Sequence, residues 1–263
     1  MEAPVSDTSR RSFLRGASVG AAFILGGCKE LSQQQWVQDT LISAEQLTKR
    51  VQRLIAGSQS LAPEFTKADI APSFRSNGTS MPSTNDYQVH AATGFKDWRV
   101  EVTGLVDKPL SLSLADLRKF PARTQITRHD CVEGWSCIGE WTGAPLKLVL
   151  AAAKPKSNAN YVVFRCADPM EDLDGDGINE ATFYYESLDL VEAVHPQTLL
   201  AYQLNGATLP VENGAPVRLR AERQLGYKQA KYVQRVELVE RFEDIGGKGG
   251  YWENQGYNWW GGI

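Results

Sequence analysis

Cysteine, histidine, arginine, acids and tryptophans crowd the stretch Arg128-His129-Asp130-Cys131-Val132-Glu133-Gly134-Trp135-Ser136 and its continuation to Trp141. A thiolate binds metals or attacks electrophiles, and cationic neighbours favour it over the thiol. Arg128 and, when protonated, His129 are the cations at hand. His129 is also a candidate for giving a proton or a hydrogen bond, and Arg128 for holding an oxyanion. An isolated cysteine reads as a buried free thiol. It is the company Cys131 keeps that argues for chemistry.

The elements that must position these residues follow from periodicity. Thr124 to Thr127 alternates polar and apolar, the pattern of a strand, so Cys131 falls where a strand gives way to a glycine-containing loop. Upstream, Trp36 to Ile55 repeats apolar residues at spacings of three and four, which predicts an amphipathic helix packed on its own domain, with docking to a membrane partner as the alternative. Residues 57 to 86, rich in Ser, Pro, Asn and Gly, read as irregular connection. Strands are predicted near Arg99–Gly104, Tyr161–Cys166, Thr198–Leu204, Val217–Arg220 and Tyr232–Val239. Helices are predicted over Ser113–Phe120, Pro145–Ala153 and Ser187–Val194, and Asn205-Gly206 marks a hairpin turn. Strands and helices intersperse without a regular βαβ repeat, so the fold class is α+β.

Cys131-Val-Glu-Gly-Trp-Ser136, followed by Trp141-Thr-Gly-Ala-Pro-Leu146, resembles the molybdopterin-binding domain of the sulfite oxidase family, nearest its periplasmic methionine-sulfoxide reductase branch. The resemblance covers Trp98 to Ile263 and implies the sulfite-oxidase-type fold, a molybdenum cofactor and Cys131 as the molybdenum ligand. Two further segments match in family order. Glu212-Asn213-Gly-Ala-Pro-Val-Arg218 implies pterin contacts by Asn213 and Arg218, an amide suiting the ring edge and a guanidinium the phosphate. Gly226-Tyr-Lys-Gln229-Ala230-Lys231 implies cofactor contacts by its last three residues. Asn77 corresponds loosely to an asparagine of the family that touches the pterin. Cys166 stands where the reductase branch has a threonine near the cofactor, and is carried over as a contact. His195-Pro196 matches a structural segment at a helix-to-strand junction.

The implied reaction is two-electron oxygen-atom transfer, with sulfoxide reduction first and sulfite oxidation second. A third reading is a non-catalytic, calcium-stabilised surface lipoprotein. The sequence holds no Cys-x-x-Cys-His for heme, so a separate electron-transfer protein, a heme protein or a quinone-linked membrane subunit, is the expected partner. The stretch after Glu240 is too short for the dimerisation domain of true sulfite oxidases, and a monomer is expected.

Composition bounds these readings. Hydrophobic content of 42%, charge of 22% and a net charge of -3 describe an ordinary folded protein and give a nucleic-acid role no support. Ser9-Arg10-Arg11-Ser-Phe-Leu-Arg15 ahead of a short apolar run reads as a twin-arginine signal over residues 1–27, which exports folded, cofactor-loaded chains. Leu25-Gly-Gly-Cys28 resembles a lipoprotein cleavage site, so a periplasmic location with a lipid anchor on Cys28 is expected. Residues 28–86 then form helix and linker, and 87–263 the catalytic domain. Cys137 and Cys166 remain as a candidate disulfide.

Asp172, Asp174, Asp176 and Glu180 sit at positions 1, 3, 5 and 9 of a loop with glycine at 6, the spacing of a calcium loop. A solvated acidic turn is the other reading. The tail from Gly249 to Trp260 is aromatic and glycine-rich, suited to a sugar or a membrane surface; its Trp-Glu and Gly-Tyr pairs resemble tails of the same family, which implies that it packs over the domain.

Overall fold

The protein is described here as a computed structural model covering residues 34–170 and 182–263. The leader with Cys28, and the loop carrying Asp172, Asp174, Asp176 and Glu180, lie outside the described residues. The chain forms two compact units, divided between Val51 and Gln52. The connection read over 57–86 therefore belongs to the second unit. Phe65 N donates to Ile126 O at 2.8 Å, Ala71 N to Ile138 O at 3.0 Å, and Phe74 enters the core.

Helix α1 (Gln35–Ala56) forms where periodicity places it, but its last turn meets the domain through its polar side. Arg53 reaches Asp189 at 2.8 Å and Glu192 at 3.2 Å, while Leu54 and Ile55 stay 85% and 81% exposed. The expectation that the apolar stripe packs on the domain fails there. Paired charges hold this end instead.

Two five-stranded sheets make up the catalytic unit. The first runs β2 (Leu110–Leu112), β1 (Val100–Gly104), β10 (Val233–Val239), β5 (Tyr161–Met170), β6 (Thr182–Asp189), with β1 and β10 parallel. The second runs β3 (Arg123–Cys131), β4 (Trp135–Pro145), β7 (Leu199–Leu204), β8 (Ala207–Thr208), with β9 (Arg218–Arg220) also paired to β7. Buried Val100 and Val102 in β1 and Val236 and Leu238 in β10 alternate with more exposed residues, whereas β5 is buried on both faces from Val162 through Val163 to Phe164. Trp98 and Trp141 are the largest apolar side chains buried. The α+β reading holds.

Short helices join the strands: α2 (Asn85–Ala92), α3 (Leu114–Leu117), α4 (Leu146–Ala153) and α5 (Leu190–Ala193). Ser113 and Asp116 close a capping box at the start of α3. Pro145 ends β4 and caps α4, one residue earlier than its expected place in the first turn. The helix predicted over Ser187–Val194 shrinks to α5. Ser187 and Leu188 are instead paired with Val163 and Val162 in the sheet, and Asp189 becomes the cap that accepts from Glu192 N at 3.1 Å. Asn205 (φ 51°) and Gly206 (φ 76°) make the predicted two-residue turn.

The hairpin β3–β4 carries the chemistry. Its strand pairing runs unbroken from Arg123↔Gly143 to Cys131↔Trp135, and Gly134 (φ 85°) turns the chain. At the other end, Gly143 lets β4 cross β7. A Cβ there would lie 2.6 Å from the Ala201 Cα and run into the Leu200 carbonyl. Backbone cannot step aside as a side-chain tip can. Gly143→Ala should therefore cost about 1–3 kcal/mol in urea unfolding, the usual penalty for overpacking, without changing the far end of the hairpin.

Candidate functional site

Period-two alternation decides what β3 offers the interior. Gln125, Thr127, His129 and Cys131 point inward and are buried, whereas Arg128 points out. Arg128 is half exposed and bonds Asp130 at 2.9 Å, so the role assigned to it at the site is not supported. Cys131 is 8% exposed and lines a cleft of about 140 Å³.

Six of the expected residues meet in that cleft: Asn77, Cys131, Arg218, Gln229, Ala230 and Lys231. Besides Arg128, three do not line it. Asn213 lies behind its wall and accepts from Arg218 at 3.0 Å through its carbonyl. Cys166 faces a different depression, beside Trp98 and Arg165. A register shift in β5 between Arg165 and Pro169 leaves Asp168, not Cys166, lining the cofactor side. His129 is fully buried beneath the cleft.

The thiolate argument needs correcting. Burial pushes the Cys131 thiol up, and Glu133 adds to this, while a backbone N–H at Glu133 and the charges of Arg75 and Arg218 pull it down. Arg128 and His129 supply nothing. Burial, with Arg218 and Arg220 close by, holds His129 well below its ordinary value, so it is a neutral imidazole. Two groups compete for His129 Nδ1. Arg220, at 3.1 Å, can only donate and favours a proton on Nε2, whereas Gln229 Oε1, at 3.3 Å, can only accept. The shorter, charged Arg220 contact is taken to set the tautomer. That Nε2 has no partner and abuts Gly226, where a Cβ would come within 2.6 Å of it. His129 thus keeps a hydrogen bond to give but is no acid.

The remaining cations are suppressed too. Burial and the charge of Arg220 bring Arg218 down to about 9. Burial and Arg218 bring Lys231 down to about 7, although its ammonium donates to Asn77 O at 2.7 Å, Glu212 O at 2.9 Å and Thr79 O. Asp168 moves the other way, up to about 6, chiefly through burial, with Lys231 opposing.

Three residues lining the cleft each leave a buried polar atom without a protein partner, Asn77 Oδ1, Asp168 Oδ1 and Arg218 Nε, and so does Asn213, at Nδ2, behind its wall. Native interiors satisfy such groups, so unpaired ones mark a place for a ligand. The oxidoreductase molybdopterin binding domain family matches residues 87–245. This chain belongs to that family.

It is accordingly a molybdopterin-dependent oxidoreductase. A relative from Azospira oryzae, provisionally named protein-methionine-sulfoxide reductase subunit YedZ1, is 36% identical over 97% of this chain and 88% of its own length. The protein-methionine-sulfoxide reductase catalytic subunit MsrP of Xanthomonas campestris is 43% identical over 56% of this chain, which spans 46% of that protein. The sulfane dehydrogenase SoxCD of Paracoccus pantotrophus aligns with a TM-score of 0.48 at 24% identity, over 56% of this chain and 39% of that one.

A molybdopterin fits what the cleft leaves unpaired. The amide of Asn213 and guanidinium of Arg218 offer donors to oxygen and phosphate, and the oxygens of Asn77 and Asp168 offer acceptors to ring N–H groups. Cys131 would supply a thiolate if a metal replaced its proton. Among the described residues no cluster of three His, Cys, Asp or Glu could hold a metal ion unaided. All three described cysteines are free thiols, so the candidate disulfide between Cys137 and Cys166 is absent.

Sequence reading missed Asp168, Glu133, Tyr184, Tyr227, Trp252 and Tyr257, all of which line the cleft. Only Glu133, two residues beyond Cys131, carried a local signal. The pH dependence of the cofactor-free protein should expose Asp168. Its folded value lies above the unfolded one, so its contribution is full below about pH 4 and is lost as pH rises through its folded value. Wild type should lose about 3 kcal/mol across that interval relative to Asp168→Asn, read by urea unfolding at a series of pH values. Parallel curves would remove Asp168 from the account.

Proposed function

We propose that this chain is the catalytic protein of a molybdenum-cofactor sulfoxide reductase. The observation that carries it is the match over almost the whole chain to a protein named as a methionine-sulfoxide reductase subunit, joined to a cleft that presents Cys131 beside unpaired pterin-type partners. The net reaction takes a sulfoxide, two electrons and two protons to a thioether and water. When bound, the cofactor supplies two-electron oxygen-atom transfer.

The chain's own residues bind and orient. Cys131 would hold the metal, Arg218 and Asn213 the anionic and carbonyl edges of the pterin, and Asp168 its N–H edge. His129 would support the floor through the Nε2 proton. Charge favours sulfoxide over sulfite. The only cations lining the cleft among the described residues are Arg218 and Lys231, 1% and 8% exposed, while Glu133 lines its outer part. Arg75 lies over the Trp135 ring, 4.9 Å from its centre. A sulfite dianion would meet a carboxylate and little to offset it.

Electrons would come from a separate redox protein, since the chain has no heme-attachment motif. Export by the twin-arginine route and an acyl anchor on Cys28 belong to the same proposal, because that route carries chains already folded around a cofactor. Calcium held by Asp172, Asp174, Asp176 and Glu180 is the further cation proposed, on loop spacing alone.

Protein made in a host competent for the cofactor should contain stoichiometric molybdenum and pterin. Cys131→Ala should lose the metal while keeping its far-ultraviolet spectrum. The loaded enzyme should oxidise a reduced viologen dye with sulfoxides and give no ferricyanide reduction with sulfite. Absence of molybdenum, or turnover of sulfite alone, would overturn the reading. Calcium at a hundredfold excess over its Kd should stabilise the chain by about 2.7 kcal/mol, an increment Asp174→Asn should abolish.

A further inference from the structure

One wall of the cleft comes from beyond the residues that the family matches. The short helix α6 (Tyr251–Asn254) and the turn after it bring Trp252 and Tyr257 into the lining, with ring centres 5.4 Å apart and planes at 27°. Gly256 (φ 102°) reverses the chain, so that Tyr257 N donates to Trp252 O at 3.0 Å. Tyr227 meets Tyr257 edge-on at 5.3 Å.

The pair is firmly held from behind. Glu253 accepts from the buried Lys228 ammonium at 2.6 Å, and the same ammonium bonds Glu186. Trp259 Nε1 donates to Ser187 Oγ at 2.8 Å, and Tyr227 OH to Asn258 O at 2.7 Å. Between these anchors, Tyr257 remains 40% exposed. A large ring fixed at both ends of its segment yet left open towards the cleft is not there to fill the core. It is a surface held ready for contact.

What it can contact is limited by chemistry. Aromatic faces favour methyl and methylene groups, which gain by leaving water against a ring. They offer nothing to a small hydrated anion. The thiol that would hold the metal lines the same cleft. We infer that Trp252 and Tyr257 form the subsite for the substrate's carbon chain, packing against the Cβ and Cγ methylenes of an oxidised methionine in a peptide, groups that dimethyl sulfoxide lacks, and so favouring the peptide over small sulfoxides. This rests on the sulfoxide reductase reading.

Trp252→Leu and Tyr257→Leu test it in the cofactor-loaded enzyme, with molybdenum content measured first to show that loading is intact. The substrates are a short peptide containing methionine sulfoxide, and dimethyl sulfoxide. KM for the peptide should rise about tenfold, the loss of one to two such contacts, with kcat nearly unchanged and both constants for dimethyl sulfoxide unaltered. Trp252→Phe should restore most of the loss. Equal effects on both substrates, or none on either, would overturn the inference.

Calorimetry with the reduced methionine peptide separates the two claims. Binding to wild type that weakens in both leucine variants supports the subsite even if no sulfoxide is turned over, an outcome that would sink only the reductase reading. Sulfoxide turnover with peptide binding untouched by the variants would sink only the subsite.

Discussion

Two guanidinium groups, buried together over one indole ring, set the terms for the rest of the site. Arg220 lies 4.3 Å and Arg218 5.4 Å from the centre of Trp141, each 1% exposed or less. Arg220 is neutralised by Glu222, which accepts at 2.6 and 2.9 Å. Arg218 has no such carboxylate and leans on one backbone carbonyl. A buried charge without a partner is costly, and the cost spreads. It keeps His129 neutral and helps depress Lys231. The polypeptide alone therefore carries an electrostatic deficit that an anionic cofactor would make good.

Around that deficit the fold is rigid where function needs it rigid. The β3–β4 hairpin places Cys131 at a tight turn, and Phe74 and Trp141 pack edge to face beneath it at 5.0 Å. The segment bearing Asn77 and Thr79, irregular as it is, is tied down by Lys231 and by Tyr232, whose hydroxyl donates to Thr79 O at 2.7 Å. On the opposite side, burial pushes Glu186 well above its ordinary value against the pull of the Lys228 ammonium, which binds both Glu186 and Glu253. Hydrogen bonds and burial, more than regular secondary structure, hold the cleft's shape.

Much of this was legible in the chain itself. The strand-to-loop junction at Cys131, the capping box at Ser113, the Asn205-Gly206 turn and the order of the family motifs all survive in three dimensions. Arg128 failed because β3 continues through Cys131, and alternation then sends neighbouring residues to opposite faces. The same rule puts His129 on the inner face, where burial strips its charge. Cys166 and Asp168 exchanged roles through a bulge that periodicity cannot reveal. Trp252 and Tyr257 belong to the tail expected to pack over the domain, and nothing in its pattern placed them at the site. Their place in the wall depends on tertiary contacts through Glu253, Trp259 and Tyr227, residues that look interchangeable with any other aromatic, glycine-rich tail.

The cleft draws its lining from Asn77–Thr79, Cys131–Glu133, Asp168–Met170, Gly226–Lys231 and Trp252–Tyr257, stretches far apart in sequence. Non-local architecture of this kind closes late and opens as a unit. A group gripped from all five stretches escapes only as fast as they part. The cofactor's residence and the chain's resistance to proteolysis then become one kinetic quantity, governed by how often the sheets separate.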